Sequence, residues 1–562
     1  MGGLRWIGVI LLLVPVVLLA QDKAGQPAAS ATAGTEPGEA AAEEALLKEQ
    51  GVPLEGAGLL DYVRQRLTSR VSEAEIRRLV EQLGDDTFAV REQAFRRLAE
   101  LGAVARKFLQ DAEKHDDLEI RTRAIRLLRM LDENNPTQQT LVAAIRQLGR
   151  RKVPGAVALL LDRLPTAEAR LAGPMQEALQ SLAVVGGKAD PLLLAALKDG
   201  SAIRREAAGL ALVRAGKPDL LPVLRSLLTD RERQVRIRLA LELVRLRERE
   251  AVGVLIEQME HPGSELFAEA EEILFTLAGS ASPVLRGESE TDRRKYREAW
   301  QAWWKRAGAT VDLAKLDPPT RKPDNTLIVL LDANLVLSLD SANKVRWQFG
   351  GVQQVLDIQP LPGDRVLLAE YRANRVTERD SKGKILWEHR FDEPLMAQRL
   401  ANGNTVIASA VQVVEIDPEG KEVMQYRPNA GGQIMRVRRV AGGDLVMITQ
   451  LGVTHCVRVN RWGREISRFG VLVGTSGGRL DVTADGHVLV PEMYENRICE
   501  YDRNGQIVRT IRAVQPIAAT FQPEGRVLYT SMTELRAVEV DRTGKEVWEY
   551  RRDTKVTRAV RY

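Results

Sequence analysis

The sequence predicts a multidomain chain, an all-α solenoid followed by an all-β propeller of six blades closed by the C-terminal strand. Three observations predict it. One short phrase recurs six times between Asp340 and Trp548, at starts 40, 37, 43, 42 and 39 residues apart. That is the period of a four-stranded propeller blade. A different phrase, an apolar residue followed by Arg, recurs with helical periodicity through residues 71–309. The final run, Val556 to Tyr562, reads like an inner strand that has lost its blade.

Each copy of the first phrase opens on Asp or Asn and places Gly three residues later. The openings are Asp340, Asp380, Asp417, Asn460, Asp502 and Asp541. Alternating runs such as Ala537 to Val540 precede them, and runs such as Ile385 to Glu388 follow, as strands with one buried face require. The Asp side chain can accept from backbone two residues on, and Gly supplies the positive φ of a bulged hairpin. Asn343 stands for Gly in the first copy. A second glycine turn lies 14 to 17 residues upstream in five copies, at Gly363, Gly403, Gly443, Gly486 and Gly525. Each full unit therefore holds four strands. The first copy lacks an innermost strand, and Val556 to Tyr562 supplies it, leaving no free edge.

In the helical half, Asp86 leads to Val90-Arg91, Asp117 to Ile120-Arg121, Asp199 to Ile203-Arg204 and Asp230 to Val235-Arg236, with small residues Ala94, Ala124 and Ala207 one turn on. A weaker form runs from Gly263 to Ala270. The gap of 83 residues between Arg121 and Arg204 hides degenerate units around Leu141 to Leu148 and Gln176 to Val184. Such stacked helix pairs resemble HEAT repeats, which implies a solenoid with a concave face. The apolar residue enters the core while the Arg stem packs and its head reaches the preceding turn. Trp300, Trp303 and Trp304 share one helix face and form an end cap or interdomain joint.

The organisation expected is a signal peptide over 1–20, a flexible Ala/Gly/Glu/Pro-rich tether and entry helix over 21–70, the solenoid over 71–309, a linker over 310–324 carrying Pro318, Pro319 and Pro323, and the propeller over 325–562. Arg5 followed by fifteen apolar or small residues from Trp6 to Ala20 reads as a secretory signal, too short to span a bilayer. Leu18 departs from the preferred cleavage pattern, so an uncleaved membrane anchor is the alternative to a periplasmic or secreted protein.

Composition narrows the function classes. The 81 basic and 76 acidic residues leave a net charge of +5, and no basic block interleaves with aromatics, so nucleic acid is not an expected partner. Cys456 and Cys499 sit on third strands of successive blades at offsets that place them on opposite blade faces, so no disulfide is expected. The five histidines lie away from inner strands, and no zinc spacing, nucleophile elbow or phosphate loop occurs.

The Asp-x-x-Gly-Lys-x-x-Trp phrase resembles the tryptophan docking motif of the quinoprotein dehydrogenases and their noncatalytic relatives. Overall the chain is similar to exported bacterial proteins that join HEAT-like repeats to a PQQ-like propeller. It departs from the quinoproteins in having six blades rather than eight, Trp only at 347, 387 and 548, and no vicinal cysteine pair. No cofactor, metal or catalytic residue is therefore expected. Polar residues on inner strands, Asp357, Gln398, Arg436, Arg438, Arg479, Asp481, Thr520 and Arg558, are the candidates to line the axis. Of these, Gln398, Arg436, Arg438, Arg479, Asp481 and Arg558 form the candidate ligand set. Four arginines would make one mouth positive and suit an anionic small molecule or a carboxylate-bearing peptide; alternatively these groups satisfy each other. The expected function is a noncatalytic, exported scaffold binding protein partners through the solenoid's concave face and the propeller surface. An enzyme or small-molecule sensor with an anionic ligand in the axis is the alternative.

Overall fold

The computed structural model describes residues 38–68, 73–132, 136–261, 264–316, 324–428 and 431–562. The expected signal peptide, the prolines 318, 319 and 323, and Gly263 lie outside the described residues. No described helix is long and apolar enough to cross a membrane.

Six four-stranded antiparallel sheets form the propeller. Blade 1 consists of Val556–Arg561, Thr326–Leu330, Leu335–Leu339 and Val345–Phe349, so the last strand of the chain is the innermost strand of the first blade. Asn325 and Tyr562 exchange backbone hydrogen bonds at 3.0 and 3.2 Å where that strand ends. The inner strands of blades 2 to 6 are Val355–Leu361, Met396–Arg399, Gln433–Arg439, Asp481–Val482 and Pro516–Phe521.

The recurrent phrase forms the turn between third and fourth strands. The amides of Lys382 and Lys384 both donate to Asp380 Oδ1 at 2.9 Å, and the equivalent bonds form at Asp340, Asn460, Asp502 and Asp541. The glycines of the turn have φ between +79° and +87°, and Asn343 has φ +62°. At Gly505 a second constraint applies. A Cβ there would lie 2.5 Å from Phe469 of the preceding blade, so the missing side chain is also what lets the blades stack. Trp548 closes the circle. Its Nε1 donates to Asn343 Oδ1 at 2.8 Å, joining the last blade to the turn of the first.

The helical half begins earlier than the sequence implies. The stretch expected to be tether and entry helix, 21–70, holds two helices, Gly38–Glu49 and Gly56–Thr68. Their few apolar residues are well used, since Leu47, Leu59 and Val63 are fully buried against the helices Pro136–Arg150 and Ala156–Arg163. Glu43 accepts from Arg150 at 2.6 Å and from Arg146 at 3.3 Å, so the acidic run pairs instead of staying solvated. Helices between Glu73 and Asp132 build a second apolar core of their own, around Leu83, Leu98, Leu109 and Leu127. The long gap in the repeat is filled by helices Pro136–Arg150 and Ala169–Leu182, linked by Arg146 to Glu177 at 2.7 Å.

The arginine of each unit does reach back. Arg91 donates to the carbonyl of Asp85 at 2.6 Å and Arg236 to that of Asp230 at 2.7 Å, and Arg121 to that of His115. One assignment shifts by a residue. Arg205 donates to Asp199 O at 2.9 Å, while Ile203 is exposed and Arg204 meets the Asp199 carboxylate at 3.4 Å and Leu161 O of the preceding unit at 2.9 Å. Arg205 also grips Asp230 of the next unit through two bonds of 2.7 and 2.8 Å.

Helix Glu290–Ala307 ends the array. Trp300 and Trp303 are buried with centroids 5.3 Å apart, edge to face, and Trp304 packs beside them half-buried. Trp300 also meets Phe275, and Tyr296 Oη donates to buried Glu271 at 2.7 Å. The joint expected at this stripe is one turn away, because Glu271 is also held by Arg461 of the propeller.

Candidate functional site

A meander of four strands sends its 1–2 and 3–4 turns to one face of the disc, and its 2–3 loops and blade-to-blade links to the other. The first face meets the solenoid. Arg461, in the 3–4 turn of blade 4, donates to Glu271 Oε1 at 3.2 Å and to the carbonyl of Gly442 at 2.8 Å, and Arg464 pairs with Glu288. The Arg461–Glu271 pair is buried in the joint, so removing either partner would strand a charge there, whereas Arg464–Glu288 is exposed.

The opposite face is exposed and apolar across blades 3 to 5. The 2–3 loops carry Val411 and Tyr494, Leu451 and Val453 end the two strands that flank Gly452 in blade 4, and Leu472 lies on the link into blade 5; the first four are 63%, 73%, 60% and 66% exposed. Scattered exposed apolar residues are ordinary, but a run of large ones on neighbouring loops of one face marks an interaction surface. None of these residues stands out in sequence, because only the meander brings loops 40 residues apart to one side.

Between the two faces, the axis is filled by the link into blade 5. Its inner strand is reduced to Asp481–Val482, and the glycine-rich run Gly474 to Gly478 turns inward. Gly477 N donates to Met435 O of blade 4 and Gly478 N to Leu395 O of blade 3, both at 2.8 Å. Gly477 packs on Leu356 of blade 2, and Arg558 of blade 1 lies over Gly478. A Cβ at Gly478 would fall 2.5 Å from Arg558 Nη2, so glycine is required for this approach. The plug seals the axis at the apolar face.

Beneath it the predicted polar residues separate into three roles. Gln398 staples blades: its side chain donates to Arg439 O at 2.9 Å and accepts from Arg439 N at 3.1 Å. Gln359, which the sequence did not single out, repeats this arrangement one blade earlier with Arg399. Arg438 and Asp481 pair at 2.9 Å, and Asp481 accepts from Phe521 N. Arg479 spans the axis from blade 5 to Asp357 of blade 2 at 3.1 Å, and Ala397 N donates to the same carboxylate. Thr520 bonds within its own sheet. Arg436 and Arg558 have no carboxylate within salt-bridge range among the described residues. Arg436 donates to Thr475 Oγ1 at 2.7 Å and Ile517 O at 2.6 Å, and Arg558 to Thr557 O at 2.7 Å. Burial pulls the Arg436 guanidinium down to about 9 and that of Arg558 to about 10, each charge discouraged by a neighbouring arginine. Burial also raises Asp357 above the usual carboxylate range, against the pull of Arg479 and Arg558. The arginines therefore do not form an open positive mouth, because the plug and the paired aspartates enclose them.

Two buried carboxylates that the sequence reading missed, Glu370 and Glu492, organise matching places in blades 2 and 5. Glu370 accepts from Arg379 at 2.6 Å and Thr377 at 2.7 Å, and Glu492 accepts from Tyr501 at 2.6 Å and Arg497 at 2.7 Å. The shared pattern, Glu followed four residues later by Asn-Arg, was the signal available. Cys456 and Cys499 are both buried in one apolar cluster between blades 4 and 5 and are unbonded to each other. The expectation that opposite faces separate them is corrected, since opposite faces of successive blades confront each other. Burial pushes their thiols up to about 12 and about 11, so neither is a thiolate at neutral pH. Among the described residues, no group of three His, Cys, Asp or Glu could hold a metal ion.

Comparison with known families finds HEAT repeats over residues 189–275 and the family described as "Outer membrane protein assembly factor BamB" over 289–450. The chain thus carries HEAT repeats and a BamB-like, PQQ-type propeller. No curated protein sequence matches it. Similar solved structures include a protein of unknown function from Bacteroides caccae, at 13% identity, covering 42% of this chain and 98% of that chain with a TM-score of 0.36. Virginiamycin B lyase from Staphylococcus aureus is 16% identical, covering 42% and 87% with a TM-score of 0.32. BamB from Moraxella catarrhalis is 12% identical, covering 40% and 72% with a TM-score of 0.27. Likeness at this level carries no functional implication.

Proposed function

We propose that this chain is a noncatalytic scaffold that binds a protein partner on the solenoid-distal face of its propeller. HEAT repeats and propellers commonly mediate protein interactions, and here the solenoid meets the turns of blade 4 on one face of the propeller, away from the apolar loops of the other. The observation that carries the reading is the exposed apolar run Val411, Leu451, Val453 and Tyr494 on three adjacent blades. The solenoid's concave face offers a second surface for the same or another protein.

A reading as an enzyme or sensor with its ligand on the axis is less well supported, because Gly477 and Gly478 are buried where a substrate would have to enter from the apolar face. Export belongs to the proposal too. Residues 1–20 have the pattern of a signal peptide, and the BamB family match supports an envelope setting, periplasmic or anchored. Finding the mature N-terminus near Gln21 would support cleavage and release; an intact Met1 in the membrane fraction would support the anchor instead.

The scaffold is tested with the variant Leu451→Asp/Val453→Asp/Tyr494→Asp in the full chain. Loss of a partner held by the wild type, with an unchanged unfolding midpoint, supports this surface. Retention of that partner overturns it.

A further inference from the structure

The enclosed axis carries more positive charge than its carboxylates balance. Three guanidinium groups, Arg436, Arg479 and Arg558, surround one carboxylate, Asp357, and only Arg479 pairs with it within 4 Å. The nearby Arg438–Asp481 pair is balanced in itself, with Glu272 of the solenoid facing it from outside. Burying a charge without a partner costs so much that buried arginines are normally paired.

Geometry narrows where a partner would sit. Blades 1 and 4 face each other across a six-membered ring, so Arg558 and Arg436 approach from opposite sides, while the Arg479–Asp357 bridge runs between blades 5 and 2. Arg558 is 8% exposed and Arg436 2%, so neither is a solvated surface group. Among the described residues, Arg436 Nη1 and Arg558 Nε and Nη2 donate to no protein oxygen. Arg558 Nε and Nη2 lie against Gly478, and Arg436 Nη1 is the unbonded end of a guanidinium whose other two nitrogens are anchored to Thr475 and Ile517. The buried plug residues Gly477 and Gly478 pack against Leu356 and Arg558 on the side of the blade-to-blade links.

We propose that the propeller axis holds a small dianionic oxyanion of the phosphate or sulfate type, bound between Arg436 and Arg558 beneath the glycine plug. The excess of two positive charges matches a dianion, and guanidinium forks present the paired donors that tetrahedral oxyanions accept. Thr475 Oγ1, bonded to Arg436, couples the anion to the plug. The anion is a structural component of the ring, independent of the partner surface.

The test uses the full chain, dialysed extensively into a buffer with a bulky organic anion, at fixed ionic strength. Inorganic phosphate is titrated by calorimetry and by unfolding midpoint. One saturable site per chain is expected, with the propeller midpoint rising about 5 °C at a hundredfold excess over Kd. Arg558→Gln should weaken phosphate at least tenfold. Sulfate should compete, whereas preference for chloride would overturn the oxyanion assignment. An equal response in Arg558→Gln would also overturn it. If that variant does not fold, a selenate soak of wild-type crystals decides. Anomalous density between Arg436 and Arg558 supports the site, and density elsewhere or nowhere overturns it.

Discussion

Arg461 of the propeller and Glu271 of the solenoid, 190 residues apart, form an ion pair inside the joint, where Tyr296 donates to the same carboxylate. Glu271 is 1% exposed, so it depends on these donors. Arg461→Ala leaves a buried carboxylate without its cation and should cost on the order of 3 kcal/mol. The double variant with Glu271→Gln should recover much of that. Hydrogen exchange in helix Glu265–Ala278 measures both, and the single variant should exchange faster.

Gly505 answers two demands at once, with φ +81° and Phe469 packed where a Cβ would stand. Gly505→Ala should destabilise the propeller by about 2 kcal/mol or more. Gly544→Ala meets nothing within 4 Å and should cost less, since only its φ of +87° is strained. Urea unfolding of the two variants separates stacking from backbone strain.

Ring closure rests on the last strand and on Trp548. Deleting residues 554–562 removes Val556, which is fully buried, and Tyr562, whose hydroxyl hydrogen-bonds Ser338 Oγ at 2.7 Å. The deletion should abolish the cooperative unfolding transition of the propeller. Trp548→Phe removes the bond to Asn343 and weakens the stacking of Arg561 over the ring at 4.2 Å, and should cost about 1–2 kcal/mol.

The Arg205–Asp230 bridge predicts acid sensitivity in the solenoid. Arg205 hydrogen bonding holds the Asp230 carboxyl below its usual value, despite some burial. A depressed folded-state pKa means that stability is fully present above the unfolded value of about 4 and is lost as pH falls through the folded one. Asp230→Asn should flatten this acid limb, leaving stability less dependent on pH below 4, as chemical denaturation at stepped pH would show.

What was legible in the sequence was what local chemistry dictates. The Asp-to-Gly turns, the two glycine turns per blade and the inner-strand character of Val556 to Tyr562 all depend on residues within a few positions of each other. What was not legible depends on distant partners. The acidic helix around Glu43 looks like tether until Arg146 and Arg150 are brought to it. Arg204 and Arg205 are indistinguishable until Asp230 selects the second. The run Gly474 to Gly478 reads as an ordinary loop, and only the inner strands of other blades show it to be a plug. Among axial candidates, residue type identified polarity, but the unpaired state of Arg436 and Arg558 is a property of the closed ring.

The most direct test of the scaffold reading places a photo-crosslinking residue at Val453 in one chain and at Ile466, on the outer rim, in another. The account predicts that Val453 crosslinks a single protein partner in cells, that the Leu451→Asp/Tyr494→Asp background abolishes this, and that Ile466 captures none of it. Equal capture at both positions, or capture unaffected by those substitutions, would contradict it.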